Sequence, residues 1–369
     1  MTTTIPSTMA AMLLTGHGGL DKLQYVTDYP TPTPKADEVL IKVGACGLNN
    51  TDINTRTAWY SKRVTDGITD TGGKGGYDEA EDEDASWGSG ALTFPRIQGA
   101  DTVGVVVAVG ADVSSARIGQ RVIVDPWLLA TGDYMDVSRS QYFGSEVNGG
   151  FAEYTAIRSI NAIEINSALS DAELATFSCA YTTAENLVAR TGLRPGERVV
   201  IAGASGGVGT AAIQLCRLRG AKVIGIASPA KSGHLMDLGL DALVDRNDPN
   251  LAQSIEAAAG GKVDVALDVV GGGQFTAMVE ALRQGGRYST SGAIAGPIVD
   301  FDLRHLIYKD LQMTGATICP PGTMARVVGM IEQGQLVPQL AHTFALQDMA
   351  QAQEVFMAKK HIGNIVVTP

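Results

Sequence analysis

The run Arg198-Val199-Val200-Ile201-Ala202-Gly203-Ala204-Ser205-Gly206-Gly207-Val208-Gly209 decides the fold. A β-branched apolar stretch enters it. A helix leaves it, with Val208, Ala212, Leu215 and Cys216 forming a buried stripe that makes Cys216 a core residue. Between the two, Gly203, Gly206 and Gly209 recur at three-residue spacing. The commoner G-x-G-x-x-G pattern is broken, because Ala204 stands at its first glycine. A turn with few Cβ atoms lets the backbone approach a pyrophosphate, and the helix start aims unpaired N–H groups and a positive dipole end at that anion. Residues 203–209 (Gly203, Ala204, Ser205, Gly206, Gly207, Val208 and Gly209) are therefore the expected phosphate cradle.

Outward from this turn, strands alternate with helices. Candidate strands are Arg198–Ala202, Lys222–Ala227, Ala242–Val244, Val263–Val269, Gly286–Ser291 and Gln312–Ile318. Helical stretches such as Thr210–Leu218 and Gln274–Arg283 lie between most of them. Such alternation predicts a doubly wound parallel α/β sheet, and six strands fit its dinucleotide-binding form. The stretch after the second strand, Ile226 to Lys231, holds no acid to bond a ribose 2′-hydroxyl. Ser228 and Lys231 there, with Arg246 after the third strand, suit a 2′-phosphate instead, so the expected cofactor is NADP(H).

The chain has 369 residues, enough for two domains, with 45% hydrophobic and 18% charged residues. This excludes a mainly disordered chain and a small disulfide scaffold. A net charge of −11 argues against nucleic-acid or anionic-membrane partners. No run approaches the roughly 18 apolar residues of a membrane span, and Met1–Met9 lacks the features of a signal peptide, so a cytoplasmic location is expected. Cys46, Cys179, Cys216 and Cys319 show no C-x-x-C spacing, which argues against a cysteine-rich structural zinc site. The five histidines show no ligand-like clustering. Residues 66–94 carry eight acids, one lysine and many glycines, Gly72, Gly73, Gly88 and Gly90 among them, and read as a long exposed acidic loop. The first third reads as strands, notably Val39–Val43 and Thr102–Val109.

Several further segments carry a resemblance. They are Gly18-Gly19, Glu38–Val43, Ala45-Cys46-Gly47-Leu48-Asn49-Asn50-Thr51-Asp52 with Arg56 and Tyr60, and Gly99-Ala100-Asp101 with Gly104. Gly149–Tyr154, Cys179–Ala184, the glycine turn, Gly315 and the closing Gly363-Asn364-Ile365-Val366-Val367 complete the set. In order and spacing the chain resembles the medium-chain dehydrogenase/reductase superfamily, in its quinone oxidoreductase-like branch. The resemblance implies a Rossmann-type NADP(H)-binding domain, residues 176–318, inserted in a GroES-like distorted β-barrel catalytic domain formed by residues 1–175 and 319–369. It also implies a homodimer, with Thr314–Cys319 as the edge that pairs across the two-fold axis.

Zinc enzymes of this superfamily use a cysteine in G-x-C-x-[ST]-D, a histidine in G-H-E and a further cysteine. The matching positions are Asn49, Ala100 and Cys179. The lobe that carries four cysteines in those enzymes matches roughly Trp127–Val147, which has none. One thiolate and one amide make a poor zinc site, so no metal is expected and Cys179 reads as packing. The resemblance implies catalytic roles for Asn49 as an amide donor, Thr51 as a hydroxyl relay, Tyr60 as a phenol donor in the cleft, and Asp52, paired with Arg56, as an orienting group. On the cofactor side it implies Thr183, then Ser291, Gly292 and Ala293 after the fifth strand, and Asn364, where relatives often have lysine.

The expected activity is zinc-independent, NADPH-dependent hydride transfer to a small-molecule quinone, enone or related carbonyl compound. A zinc-free NADP-dependent alcohol or aldehyde dehydrogenase is the nearest alternative. An NADPH-binding regulatory or structural protein without turnover is the alternative from another class.

Overall fold

The computed structural model describes residues 4–68, 70–86, 91–129 and 133–369. The chain forms two compact units: Met1–Val64, Thr69–Cys179 and Pro320–Pro369 in the first, and Thr65–Ile68 with Ala180–Cys319 in the second.

The second unit is built on one six-stranded parallel sheet. Its order is Ala242–Asp245, Lys222–Ala227, Arg198–Ala202, Val263–Asp268, Leu282–Thr290, Gln312–Gly315. This is the 3-2-1-4-5-6 order of a Rossmann-type sheet. The strands are apolar runs because helices cover both faces of such a sheet; Val199, Val200, Ile201 and Ala202 are all buried. Ala212, Leu215 and Cys216 of the helix Gly207–Leu218 are buried as the stripe requires, whereas Val208, at the open first turn, is half-buried.

Several boundaries move from their expected places. The fifth strand starts at Leu282, which ends the preceding helix at Ala281. The last strand stops at Gly315, where the chain turns inward and Ala316 donates its N–H to Thr290 O at 2.8 Å. The edge is therefore Gln312–Gly315 rather than Thr314–Cys319. Residues 176–179 pack with the first unit, where Cys179 N–H donates to Asp101.

The first unit carries a seven-stranded, largely antiparallel sheet centred on Glu38–Leu48. That strand pairs with Asp101–Val109, Tyr154–Arg158 and the closing strand Asn364–Thr368. Beside it lies a three-stranded sheet of Leu23–Pro30, Thr8–Leu14 and Arg96–Ile97. Met9, Leu40, Leu48, Ile53, Phe151 and Phe356 share one core. All four cysteines are free thiols.

The acidic stretch is not simply a solvated loop. Its first residues belong to the second unit, where Ile68 N–H donates to Ile294 O at 2.9 Å. A short helix, Asp70–Gly75, follows, with Gly72 and Gly73 buried. Further on, Glu81 N–H donates to Ser61 Oγ at 3.2 Å, and Asp84 accepts from Lys62 N–H at 3.0 Å. Gly88 and Gly90 lie outside the described residues. Backbone and side-chain partners explain the difference from expectation: glycines that weaken a free chain also let it lie close against a neighbour.

Candidate functional site

In the first unit, Asn49 follows the long strand Glu38–Leu48 directly and caps the helix Asn50–Thr57. Asp52, three residues on, accepts from Asn49 N–H at 2.8 Å, the return half of a capping box. The Asn49 carboxamide turns the other way. Its Nδ2 donates to Asp101 Oδ2 at 3.0 Å, and Asp101 Oδ1 accepts from Cys179 N–H at 2.5 Å. Burial, opposed by these hydrogen bonds, pushes both Asp52 and Asp101 up to about 7. Asp101 entered the sequence reading only as part of a motif. Its signal was an acid at the third position of Gly99-Ala100-Asp101.

Tyr60 and Thr51 meet across the same helix. The Tyr60 hydroxyl donates to Thr51 Oγ1 at 3.1 Å. Burial pushes the phenol up to about 12, and Asp52 and Cys179 both lie within its electrostatic reach. Asn49, Thr51, Asp52 and Tyr60 therefore come together as expected, with Asp101 and Cys179 added.

The Asp52–Arg56 pair does not form. Arg56 is fully buried, and its guanidinium donates to Gln353 Oε1 at 2.8 Å, Gly18 O at 2.9 Å and Gly73 O at 2.7 Å. Asp52 is spent on the cap. The i,i+4 spacing is right, but the long Arg56 side chain finds three oxygens on other segments.

Residues able to hold a dinucleotide lie in the second unit. Gly203 has φ +64°, and a Cβ on Gly209 would stand 2.2 Å from Gly203 O. Only glycine fits the second position, and the first needs left-handed backbone. Ala204 is tolerated at the broken motif position because Gly225 on the neighbouring strand leaves room: a Cβ there would come within 2.9 Å of Ala204 Cβ. Gly206 starts the helix with no side-chain cap, which leaves its first N–H groups open toward an anion. Lys231 Nζ donates to Ser205 Oγ at 3.2 Å, and burial together with the Arg246 charge holds the Lys231 ammonium below its usual range. Ser228 is half-buried at the turn between them. After the fifth strand, Ser291 N–H donates to Asp268 O at 3.1 Å, and its buried hydroxyl has no partner among the described residues. Gly292 and Ala293 continue that loop, and Thr183 is half-buried on the helix Ser178–Thr191. A cradle with few Cβ atoms, the nearby cations Lys231 and Arg246 and an orphaned hydroxyl fit a dinucleotide.

Sequence reading missed Asp268. It is fully buried and accepts from Val270 N–H at 2.7 Å, Gly271 N–H at 3.1 Å and the Tyr288 hydroxyl at 2.6 Å, which fixes the end of the fourth strand. Asn364 lies in the first unit, buried on the closing strand, with an amide oxygen that has no partner among the described residues.

A zinc ion does not fit the residues present. The matching positions hold an amide already bonded to Asp101, an alanine and one thiol, and among the described residues no group of three or more His, Cys, Asp or Glu side chains could hold a metal.

Residues 35–167 match the family model for the alcohol dehydrogenase GroES-like domain, and residues 207–333 match that for zinc-binding dehydrogenase. A solved structure from Sinorhizobium meliloti 1021, provisionally named an alcohol dehydrogenase, is 43% identical, with a TM-score of 0.88, covering 99% of this chain and 98% of that one. The acryloyl-coenzyme A reductase of Sulfurisphaera tokodaii is 25% identical over 98% of this chain and 100% of its own length. The quinone oxidoreductase of Mus musculus is 26% identical over 94% and 93%.

Proposed function

Because this chain belongs to the medium-chain dehydrogenase/reductase superfamily, and is thereby an oxidoreductase, we propose that it is a zinc-independent, NADPH-dependent reductase of quinones, enones or related carbonyl compounds. NADPH, when bound, supplies the hydride. The chain supplies binding, orientation and proton placement.

The observation that carries the reading is the donor set around Asn49. Nδ2 bears two hydrogens and gives one to Asp101; nothing among the described residues takes the second, which can serve a substrate oxygen. Tyr60 donates to Thr51, which leaves the Thr51 hydroxyl hydrogen able to pass onward. Since burial keeps the phenol protonated at neutral pH, the pair delivers a proton rather than removing one. Neutral donors in fixed positions stabilise negative charge developing on a carbonyl oxygen. Lys231 and Arg246, with Ser205 and Ser228, favour the cofactor that carries the extra phosphate.

The same reading takes the protein as a cytoplasmic homodimer. Gln312–Gly315 is an edge strand of its sheet, and Leu303, Ile307 and Tyr308 just before it are exposed by 61%, 60% and 73%. A second copy pairing edge to edge would cover both.

The deciding experiment follows NADPH oxidation with a quinone and with a neutral enone, against NADP+ reduction with alcohols, in the presence of a chelator. Reduction of the first two that survives chelation supports the reading. Activity only with alcohols would favour the dehydrogenase alternative, and NADPH binding without turnover would favour a regulatory protein.

A further inference from the structure

We propose that Asp101 is a positioning residue for this reaction, fixing the one orientation of the Asn49 carboxamide that turns its remaining amide hydrogen toward the substrate oxygen. The inference rests on the donor role given to Asn49 above.

Asparagine is ambiguous by itself. Its oxygen and nitrogen occupy nearly the same volume, and a half-turn about its last bond exchanges a donor for an acceptor. Only its neighbours choose between the two. Asp101 makes that choice because an ionised carboxylate accepts and never donates. With Oδ1 taken by Cys179 N–H at 2.5 Å and Oδ2 facing Asn49 at 3.0 Å, the amide must present Nδ2 to it. An amide or hydroxyl at position 101 could serve either orientation.

The backbone of Asn49 is held separately. Asp52 accepts its N–H at 2.8 Å from the first turn of the following helix. Two carboxylates therefore fix one asparagine, one by its main chain and one by its side chain. Asp101 sits on the strand Asp101–Val109, with its Cα opposite Gly47, and is completely buried. The titratable groups around it are Asp52 and Cys46, Cys179 contributes its backbone N–H, and among the described residues no ion pair involves it. Asp52 is accounted for by its cap, but packing gives no reason to bury a second acid at position 101, since an apolar or amide side chain would cost less there. Fixing a donor gives one.

The test is a double-mutant cycle at pH 8, where the carboxylate is ionised, with NADPH and a neutral enone. Asn49→Ala should lower kcat by about 10²- to 10³-fold. Asp101→Asn should lower it by about 10- to 100-fold, with NADPH dissociation unchanged within about twofold. In the Asn49→Ala background, Asp101→Asn should lower kcat no further. Losses that multiply would show Asp101 acting independently of Asn49, and the proposal would fall. An Asn49→Ala enzyme with wild-type kcat would overturn the donor role and the positioning role with it. Should Asp101→Asn not fold, Asp101→Glu keeps the charge but moves the oxygens by one methylene; the same cycle then decides, with a kcat loss that vanishes without Asn49 as the expected result.

Discussion

Lys231 reaches back from just beyond the strand Lys222–Ala227 to donate to Ser205 Oγ at 3.2 Å, so the ammonium stands over the glycine turn rather than in solvent. Arg246 lies close enough for its charge to weigh on that ammonium. Replacing Lys231 with alanine should raise the dissociation constant for NADPH by about 10- to 100-fold, the worth of one charge-assisted hydrogen bond. NADH binding should change little. Equal losses for the two cofactors, measured by fluorescence titration, would reduce Lys231 to a structural lysine.

The Tyr60 hydroxyl bonds Thr51 Oγ1 and stays protonated up to about 12. Tyr60→Phe should cost about 10²-fold in kcat, the usual lower range for a lost proton donor. NADPH affinity should hold. Since the phenol titrates so high, the wild-type rate should show no Tyr60-dependent fall between pH 7 and 10. A limb in that window that disappears in Tyr60→Phe would contradict the assignment.

Asp52 and Asp101 are harder to ionise in the folded chain than in an unfolded one, their values standing near 7 against 3.8. The native state thus binds more protons between those values. Stability from these groups is complete below about 3.8 and is lost as pH rises through about 7. The thermal midpoint of the wild type relative to Asp101→Asn should fall on going from pH 5 to pH 8. A difference that stays flat or grows with pH would show that the carboxyl is not buried as described.

The glycine turn and the sheet were legible because their signals are local. Arg198–Ala202 and Lys222–Ala227 match their expected bounds, since β-branched runs flanked by glycine leave the chain little choice. The broken motif was legible too, but not its compensation: only the sheet brings Ala204 beside Gly225, 21 positions further along. The same holds at the site. Asn49, Thr51 and Tyr60 lie in one short segment, where the family resemblance pointed to them. Asp101 could not be given a role, because its partners Asn49 and Cys179 lie 52 and 78 positions away. The Asp52–Arg56 pairing failed for the same reason in reverse: adjacency on a helix was visible, while Gln353, Gly18 and Gly73 were not.

The Ala204–Gly225 fit can be tested directly. Gly225→Ala would place its Cβ 2.9 Å from Ala204 Cβ and 3.0 Å from the Leu240 methyls. Overpacking of that kind costs about 1–3 kcal/mol. The thermal midpoint should drop, and adding Ala204→Gly should recover part of the loss. A double variant no more stable than Gly225→Ala alone would place the strain elsewhere, at Leu240.

Arg56 ties the acidic segment to the first unit through Gly73 O, and anchors itself on Gly18 O and Gln353 Oε1. Its fork satisfies three oxygens at once, which a single ammonium cannot do in the same geometry. Arg56→Lys keeps the charge and should still release the helix Asp70–Gly75. Each buried acceptor left without its donor costs about 1–3 kcal/mol, so the thermal midpoint should fall by roughly 5 °C or more. The sharper readout is local. Lys74 is exposed on that helix, and trypsin should cut after it many times faster in Arg56→Lys than in the wild type under native conditions, while cuts elsewhere change less. Identical cleavage at Lys74 in both proteins would mean that the segment is held by its own packing against Gly18 and Tyr77, and that Arg56 only fills the core.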